Sequence, residues 1–375
     1  MARLGDICTV VSGSTPKTTV PDFWDGDANW ITPAELNDSI SVVYESQRKI
    51  TQAAIKATGL TPFPAGTVIL SSRAPIGKTA IAGTEMYCNQ GFKNLICSDA
   101  IYNWYLFWFL RCKTDYLNSL GRGATFKEIS KTIVENIELP LPSVSEQKRI
   151  ADLFNKANEL IGLYKQQLEK LDNLIKARFA EMFTGVDYPL ISVDDLSLSK
   201  GEYGAQSASI EYDSNRPRYV RITDINDDGT LNDDMVSSSN VEDDEQYKLS
   251  YGDFLFARMG ATVGKTYAYK EGNQIYAGYL IRYKLNLEKI IPEYLQAFTK
   301  LDEYWNWVKM NQSGAAQPGI NAKKYGSLHI PLAPLNEQKA FRSFVQQVDK
   351  SRSAVQKALD EAQTLFDSLM QEYFG

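Results

Sequence analysis

Apolar residues recur at alternating steps of three and four positions along two stretches of the chain, one in the middle and one at the end. This spacing is typical of a helix whose apolar seam packs against a second helix in a coiled coil. The seam residues that the spacing predicts are Ile150, Phe154, Ile161, Tyr164, Leu168, Leu171 and Ile175 in the first helix, and Phe341, Val345, Val348, Val355, Leu359, Phe366 and Leu369 in the second.

Each predicted helix begins shortly after a proline. Ser145 and Asn336 are the expected N-cap residues, because their side chains can accept hydrogen bonds from first-turn amides. Few helix breakers follow, so we expect a protruding rod of about 55 Å at about 1.5 Å per residue. The alternative is that each helix packs only on its own domain. Arg178 and Arg352 fall on the seam, where a buried charge can fix register or orientation.

The regions that precede the two helices contain short apolar runs bounded by turn residues. Residues 67–70 and 253–256 predict β-strands, whereas residues 104–110 and 292–298 predict helices within the same regions. Each region is therefore expected to form a mixed α+β domain.

The chain repeats itself. It contains the junction sequence ELPLPSVSEQK at 138–148 and, 191 positions later, HIPLAPLNEQK at 329–339. Gly-Lys-Thr triplets at 77–79 and 264–266 are offset by 187, which small loop insertions explain. Two tandem copies of one unit follow from this order. The predicted parts are a first domain over 1–142, a first helix over 143–185, a second domain over 186–333 and a second helix over 334–375.

The composition adds few chemical groups to this picture. The longest apolar run falls far short of the roughly 20 residues of a membrane span. No secretory leader is evident, so a cytoplasmic protein without membrane contact is expected. The four cysteines form no CxxC pair, which favours reduced thiols over disulfides. With His329 as the one histidine, we expect no metal site and no histidine-based catalysis.

The net charge of −6 argues against a simple basic nucleic-acid-binding protein. The excess acid is concentrated in two short runs, at 224–234 and 242–245. These are expected to be surface loops, which leaves room for a basic face elsewhere. Net charge therefore does not decide whether the chain binds DNA.

Two diverged domains that alternate with two similar helices resemble the specificity subunits of type I restriction–modification systems. The local markers are Leu4–Ile7, Ser12–Pro16, the paired Gly-Lys turns and the Pro-Leu-x-x-x-x-Glu-Gln-Lys junctions at 140–148 and 331–339. The resemblance covers the whole chain. It implies an α+β fold of two tandem target-recognition domains, with the two helices paired as an antiparallel, pseudo-twofold coiled coil.

This resemblance also implies a function. Each domain would recognise one half of a bipartite double-stranded DNA target, while the helices set the spacing and dock two methyltransferase subunits. A restriction and translocase subunit would join the larger complex. S-adenosylmethionine, ATP and magnesium would be bound by these partners, so no cofactor is expected on this chain. Two readers on a rigid spacer require half-sites at a fixed separation.

The Gly-Lys turns are the first candidate DNA contacts. A phosphate-binding loop would need a glycine where Ser72 and Met259 stand, so that interpretation fails. A strand–turn–strand hairpin fits better and resembles an arginine-bearing hairpin of the family. Lysines would meet phosphates and arginines could also fork onto guanine. The candidates are Arg73, Lys78, Arg258 and Lys265, and the alternative is a solvated hairpin tip.

A glycine-bearing loop before each junction, at 121–127 and 312–318, is the second candidate. Its amides could approach a phosphate, and Thr125 or Gln317 could contact a base edge. A plain loop leading into the next helix is the alternative. The further candidates, chosen for position or charge, are Asn89, Gln90, Arg122, Lys127, Arg221, Tyr279, Lys323 and Lys324.

Catalytic signatures are missing from the sequence. There is no (Asn/Asp)-Pro-Pro-(Tyr/Phe) loop of an adenine methyltransferase, and the Pro21–Asp22 pair lacks a downstream acid-x-Lys. We therefore expect a non-catalytic recognition subunit. Two alternatives remain: a coiled-coil assembly scaffold with duplicated protein- or glycan-binding domains, and a self-sufficient nuclease.

Overall fold

The computed structural model describes residues 1–37, 39–73, 75–123, 127–233, 235–241, 244–314 and 318–375. Thr125 and Gln317, two of the predicted DNA contacts, lie outside these ranges. The chain forms two compact units. The first comprises Met1–Leu163 and Leu359–Gly375, and the second comprises Tyr164–Ala358. Each unit thus contains one α+β domain and parts of both long helices.

The first domain is built on a five-stranded sheet and a smaller three-stranded sheet. Its strands are β1 (Ala2–Arg3), β2 (Cys8–Ser12), β3 (Trp24–Ile31), β4 (Val42–Val43), β5 (Arg48–Ile50), β6 (Val68–Leu70), β7 (Thr79–Ala82), β8 (Tyr87–Cys88), β9 (Lys93–Cys97) and β10 (Glu138–Leu139). The larger sheet has the order β2-β9-β6-β7-β4 and the smaller one β5-β3-β8. The short helices are α1 (Leu4–Ile7), α2 (Gln52–Thr58), α3 (Asn103–Cys112), α4 (Thr114–Leu120) and α5 (Lys131–Glu135).

The predicted apolar helix of the first domain lies within α3. Every side chain from Tyr105 to Leu110 is buried, because α3 packs on the larger sheet with one face and meets the ends of both long helices with another. A helix that is apolar nearly all round is buried on all sides.

The second domain repeats this plan with a four-stranded antiparallel sheet. Its strands are β11 (Leu190–Ser192), β12 (Glu202–Tyr203), β13 (Ser209–Glu211), β14 (Arg218–Val220), β15 (Ser237–Ser239), β16 (Asp253–Ala257), β17 (Thr266–Ala268), β18 (Gln274–Tyr276), β19 (Leu280–Lys284) and β20 (His329–Pro331). The sheet order is β12-β19-β16-β17, in which β19-β16-β17 corresponds to β9-β6-β7 of the first domain. The short helices are α7 (Pro292–Phe298), α8 (Asp302–Asn311) and α9 (Ala322–Gly326).

Two 40-residue helices, α6 (Val144–Phe183) and α10 (Leu335–Phe374), follow the two domains. In the first unit, Phe154 of α6 stacks on Phe374 of α10 with ring centroids 5.5 Å apart. In the second unit, Phe179 of α6 meets Phe341 of α10 edge-on at 5.4 Å. The start of each helix thus packs against the end of the other, and the pair is antiparallel. The expected fold class is confirmed, and all predicted seam residues are buried or half-buried.

The predicted helix caps are wrong. The helix α6 begins at Val144, and Ser143 caps it by accepting a hydrogen bond from Glu146 N to its Oγ at 3.3 Å. Ser145 lies inside the first turn. The helix α10 begins directly after Pro334, so Asn336 also lies inside the first turn. Each helix begins earlier than its predicted cap implies, because the Ser143 side chain caps α6 and the fixed φ of Pro334 suits the start of α10.

A buried glutamine joins the first domain to α6. Gln147 is fully buried, and its Oε1 accepts a hydrogen bond from Tyr102 N at 2.7 Å. Its Nε2 donates to Ala100 O at 3.0 Å and to Pro142 O at 2.9 Å. One side chain therefore satisfies three backbone groups where the strand-rich domain meets the helix.

The second domain has the same connection 191 residues later. Gln338 is also fully buried, and its Oε1 accepts from Ile291 N at 3.0 Å. Its Nε2 donates to Lys289 O at 3.0 Å and to Ala333 O at 2.8 Å. The glutamine of each Glu-Gln-Lys junction therefore has a structural role, which explains why this motif marks both copies.

The two seam arginines are paired with acids. Arg178 donates to Glu181 Oε2 at 2.7 Å, and its guanidinium lies 5.8 Å from the ring centroid of Phe344. Arg352 is ion-paired with Asp228, and its Nη1 lies 3.8 Å from Asp172 Oδ1. Asp228 belongs to the second domain, so Arg352 connects α10 to that domain.

Asp228→Asn should lower the free energy of unfolding by about 1–3 kcal/mol at neutral pH, because it removes the charged partner of Arg352. Burial raises the pKa of Asp228, but hydrogen bonds from Thr230 and the charge of Arg352 outweigh burial and hold the pKa below its ordinary value. Such a carboxyl stabilises the fold above its unfolded pKa of about 3.9, and the contribution is lost as the pH falls through the lower folded value.

Urea unfolding of both proteins at neutral pH and at about pH 3 checks this prediction. The difference in the free energy of unfolding between the wild type and Asp228→Asn should be smaller at the acidic pH. The matched control is Asp187→Asn, which changes an exposed aspartate and should have little effect at either pH. A difference that stays constant with pH would contradict the role of the Asp228 charge.

Candidate nucleic-acid interface

Both Gly-Lys sequences lie in antiparallel hairpins. Leu70 of β6 is opposite Thr79 of β7, and Phe256 of β16 is opposite Thr266 of β17. The connecting turns contain glycines with positive φ, 95° at Gly77 and 92° at Gly264, a conformation that other residues rarely adopt. A Cβ at Gly264 would lie 2.9 Å from Val308 of α8. These glycines serve a tight turn against a helix.

The lysines of the two turns are half-buried and bind the protein itself. Lys78 Nζ donates to Leu36 O at 2.6 Å. Lys265 Nζ donates to Ile225 O at 3.2 Å and lies 2.8 Å from Asp227 Oδ1. In each domain the ammonium group ties the hairpin to a neighbouring loop. The structure therefore gives both lysines a local partner.

The glycine-bearing loop of the first domain folds against its hairpin. The backbones of Arg122 and Glu128 exchange two hydrogen bonds of 3.0 and 2.9 Å, which closes the loop. Ile129 N then donates to Ser72 O at 3.0 Å. Ser72 N in turn donates to Gly91 O at 2.7 Å. Three segments that are distant in sequence therefore form one surface.

The same assembly recurs in the second domain. Ser313 and Gly319 exchange two backbone hydrogen bonds of 3.0 Å. Ile320 N donates to Arg258 O, and Gly260 N donates to Pro318 O, both at 2.9 Å. The two kinds of DNA-contact candidate that the sequence suggested separately are thus neighbours in each domain.

This surface of the first domain carries a group of charged residues, which we call the first patch: Arg73, Lys78, Lys93, Arg122, Lys127 and Glu128. Glu128 Oε2 accepts from Arg73 Nε at 2.8 Å, and Glu128 Oε1 accepts from Lys93 Nζ at 3.2 Å. Burial raises the pKa of Glu128, but the hydrogen bonds and charges of Arg73 and Lys93 outweigh it and lower the pKa. Arg122 and Lys127 are exposed beside this ion-paired centre.

The first patch is strongly basic. Its three segments, 71–78, 89–93 and 121–128, contain five Lys or Arg residues and one Glu. Gln90 is exposed at its side, whereas Asn89 is half-buried and its Oδ1 accepts from Gly91 N at 2.9 Å. A local excess of cations in an acidic chain is the electrostatic pattern of a nucleic-acid-binding surface.

Aromatic residues replace the acid in the second domain. The guanidinium of Arg258 lies 4.8 Å from the ring centroid of Tyr203 and 6.0 Å from that of Tyr279. These three residues are called the second patch. Gly319 occupies the position equivalent to Glu128. Among the described residues, the hydrogen-bond partner of this guanidinium is the weakly accepting sulfur of Met259, at 3.5 Å.

The other charged candidates are placed differently. Arg221 Nη2 donates to buried Asp224 at 2.8 Å and to Met235 O at 2.8 Å, and Lys324 Nζ donates to Asn311 O at 2.6 Å. Both side chains therefore support local structure. Lys323 is exposed on α9.

Sequence reasoning missed three residues of these surfaces. Lys93 and Tyr203 lie in strands without a motif, so the sequence offered no signal for them. Glu128 directly follows the predicted glycine loop. As the one acid in a basic segment, it could have been predicted to pair with a nearby cation.

The described part of the chain offers neither a metal-binding cluster nor a membrane-spanning helix. Within it, no three His, Cys, Asp or Glu side chains come together in a way that could hold a metal ion. None of the described helices combines the length and the apolar character that crossing a membrane requires.

Comparisons with known proteins give a consistent result. The sequence model of the family described as type I restriction modification DNA specificity domain matches residues 1–173 and 191–362. Over 184 residues, the chain is 38% identical to the specificity subunit of the type I restriction enzyme MjaIX from Methanocaldococcus jannaschii, covering 48% of this chain and 43% of that protein. The chain thus spans less than half the length of that relative.

A second relative covers nearly the whole chain. The MjaVIII specificity subunit of the same organism is 24% identical over 391 residues, which are 96% of this chain and 89% of that protein. Among solved structures, the S subunit of a type I system from M. genitalium has a TM-score of 0.59 at 13% identity, covering 100% of this chain and 95% of that one.

A structure from a study of complex assembly and conformational transition in a type I R-M system gives the same TM-score at 18% identity, with 100% and 96% covered. At these identities the structural likeness concerns the fold. Each of the two matched sequence regions spans one α+β domain and part or most of the following long helix. The chain therefore belongs to the family of type I restriction–modification DNA specificity domains.

Proposed function

We propose that this chain is the DNA-sequence-specificity subunit of a type I restriction–modification complex. Each domain recognises one half of a bipartite double-stranded target through its patch. The observation that carries the proposal is the recurrence of one arrangement, a hairpin turn closed over by a glycine-bearing loop, at the same place in both domains. The names of the relatives, which are specificity subunits, support it.

The first patch suits the DNA backbone. Arg122 and Lys127 are exposed and form no ion pair with a described acid, so their charges are available to phosphates. The ion-paired centre of Arg73, Lys93 and Glu128 presents both donors and an acceptor. Phosphate contacts fix position, whereas a mixed set of donors and acceptors can distinguish base edges.

The second patch suits a base edge. The rings of Tyr203 and Tyr279 flank the guanidinium of Arg258 and restrict its orientation without consuming its donors. An oriented guanidinium can donate two hydrogen bonds to O6 and N7 of guanine. We therefore assign guanine recognition in the second half-site to Arg258.

The antiparallel helix pair serves as the spacer between the two readers and as the docking site for two methyltransferase subunits. A restriction and translocase subunit joins them in the larger complex. Catalysis resides in these partners, which bind S-adenosylmethionine, ATP and magnesium, and the chain itself is non-catalytic. The structural study of type I complex assembly that contains a chain of this fold supports such partners.

Arg122→Ala and Lys127→Ala should each reduce the slope of log K against log salt by about 0.9, because each removes one phosphate contact. Affinity should fall equally for target and random duplexes. The measurement is binding of fluorescent duplex DNA, with and without methyltransferase subunits, at several salt concentrations.

The matched control is Lys170→Ala, which removes an exposed charge from the α6 helix. An unchanged salt slope in the two loop variants would contradict the proposed phosphate contacts. Absent or salt-insensitive DNA binding in every setting would favour an assembly scaffold. Methylation mapping in cells with and without the chain would report both half-sites and their separation.

A further inference from the structure

Two cysteines of the first domain face each other across neighbouring strands. Cys8 of β2 and Cys97 of β9 are directly opposite in an antiparallel ladder. The adjacent pair, Ile7 and Ser98, is joined by a backbone hydrogen bond of 3.0 Å. The cysteines therefore occupy a non-hydrogen-bonded position, where opposite Cα atoms are about 4.5 Å apart and side chains approach closely.

This separation lies within the range of disulfide-bonded cysteines, whose Cα atoms are roughly 4.4–6.8 Å apart. The interaction with the Cys97 side chain, followed by burial, raises the pKa of Cys8.

One of the two cysteines lines a cavity that is open to solvent. Cys8 is 8% exposed and belongs to the core. Cys97 is half-buried and lines a cavity of about 360 Å³, together with Gly66, Ser98 and Asn103. A small oxidant can enter such a cavity and meet Cys97 before Cys8.

The two other cysteines are placed differently. Cys88 is buried and accepts a hydrogen bond from Asn94 Nδ2 at 3.1 Å. The Cys112 Sγ lies 3.7 Å from Met370 O, to which it donates. Neither has a cysteine opposite it in a strand ladder, so both serve as internal controls.

We propose that Cys8 and Cys97 form a site of reversible oxidation, at which a peroxide converts the two thiols into a disulfide between β2 and β9. Cys97 loses its proton to solvent, its thiolate attacks one oxygen of hydrogen peroxide, the O–O bond breaks, and the leaving hydroxide takes up a proton from solvent to give water. The Cys8 sulfur then attacks the resulting sulfenic sulfur, the S–O bond breaks, and the Cys8 proton leaves with the hydroxide as water. Two thiols and one peroxide give one disulfide and two waters.

The disulfide would join the beginning of the first domain to the strand that precedes α3. It closes a loop of about 90 residues, which restricts the unfolded chain and should raise the Tm of the first unit by roughly 5–10 °C. Reduction should reverse this shift. The site is independent of DNA binding, so its test does not depend on the proposed function.

The experiment treats the full-length chain with a small excess of hydrogen peroxide and analyses an unreduced digest by mass spectrometry. We expect a linked peptide pair that contains Cys8 and Cys97, two hydrogens lighter than the free peptides, which dithiothreitol separates. The link should form in Cys112→Ser and disappear in Cys97→Ser. Because the main measurement uses the wild-type chain, its result does not depend on whether a variant folds. If peroxide leaves the two thiols unlinked, or oxidises Cys97 to a sulfinic acid without a link, the proposal is overturned.

Discussion

Replacing Gln338 by alanine should lower the free energy of unfolding of the second unit by about 3–5 kcal/mol. The substitution leaves Ile291 N–H and the carbonyls of Lys289 and Ala333 without their partner in a fully buried position. A buried backbone group that loses its hydrogen bond costs about 1–3 kcal/mol, and the alanine also leaves a small cavity. Differential scanning calorimetry measures the loss, and hydrogen exchange followed by mass spectrometry locates it.

The matched control is Gln347→Ala, which changes an exposed glutamine of the same helix and should alter the Tm little. Gln147→Ala should destabilise the first unit to a similar extent, since its three hydrogen bonds are equivalent. If both junction variants melt like the control, the glutamines do not hold the domains to the helices.

Replacing Arg258 by alanine should reduce affinity for the target roughly 10- to 100-fold, the effect of losing one bidentate guanine contact of about 1–3 kcal/mol. Affinity for random duplexes should change far less. The complex with its methyltransferase subunits is the form to test, with competition binding and methylation mapping as measurements. The methylation map should show that one base position in one half-site is no longer discriminated.

Two further variants sharpen this test. Arg258→Lys retains the charge but loses the planar fork, so random binding should persist while discrimination is lost. Arg73→Ala should have a smaller effect on base choice, because Glu128 already engages that guanidinium. An equal loss on target and random DNA in Arg258→Ala would show a phosphate contact instead of a base contact.

The periodic parts of the fold were predictable from the sequence. A seam from Ile150 to Ile175 and its counterpart after Phe341 define helices, because the three-and-four spacing has no strand equivalent. The apolar run at 104–110 was predicted to be helical and lies within α3. The helix caps were missed by two residues, since Ser143, Ser145, Pro334 and Asn336 are all acceptable at a helix start.

The patches were predictable only in part. The sequence indicated the hairpin and the glycine loop. The backbone hydrogen bonds that join them, such as Ile320 N to Arg258 O, connect residues 57 to 62 positions apart and could not be predicted. The directions of the side chains could not be predicted from the sequence either. Lys78 and Lys265 resemble phosphate ligands in sequence, yet each donates to a backbone carbonyl. The buried role of Gln147 was hidden because glutamine is usually a surface residue.

The antiparallel helices determine when each domain can be completed during synthesis. Phe374 is 2% exposed in the core of the first unit, beside Phe154 and Phe109. The core of the first unit therefore cannot be completed until residues some 200 positions later have been synthesised. The second unit contains no residue beyond Ala358. Until then, the part of α3 that packs against Phe374 lacks this cover.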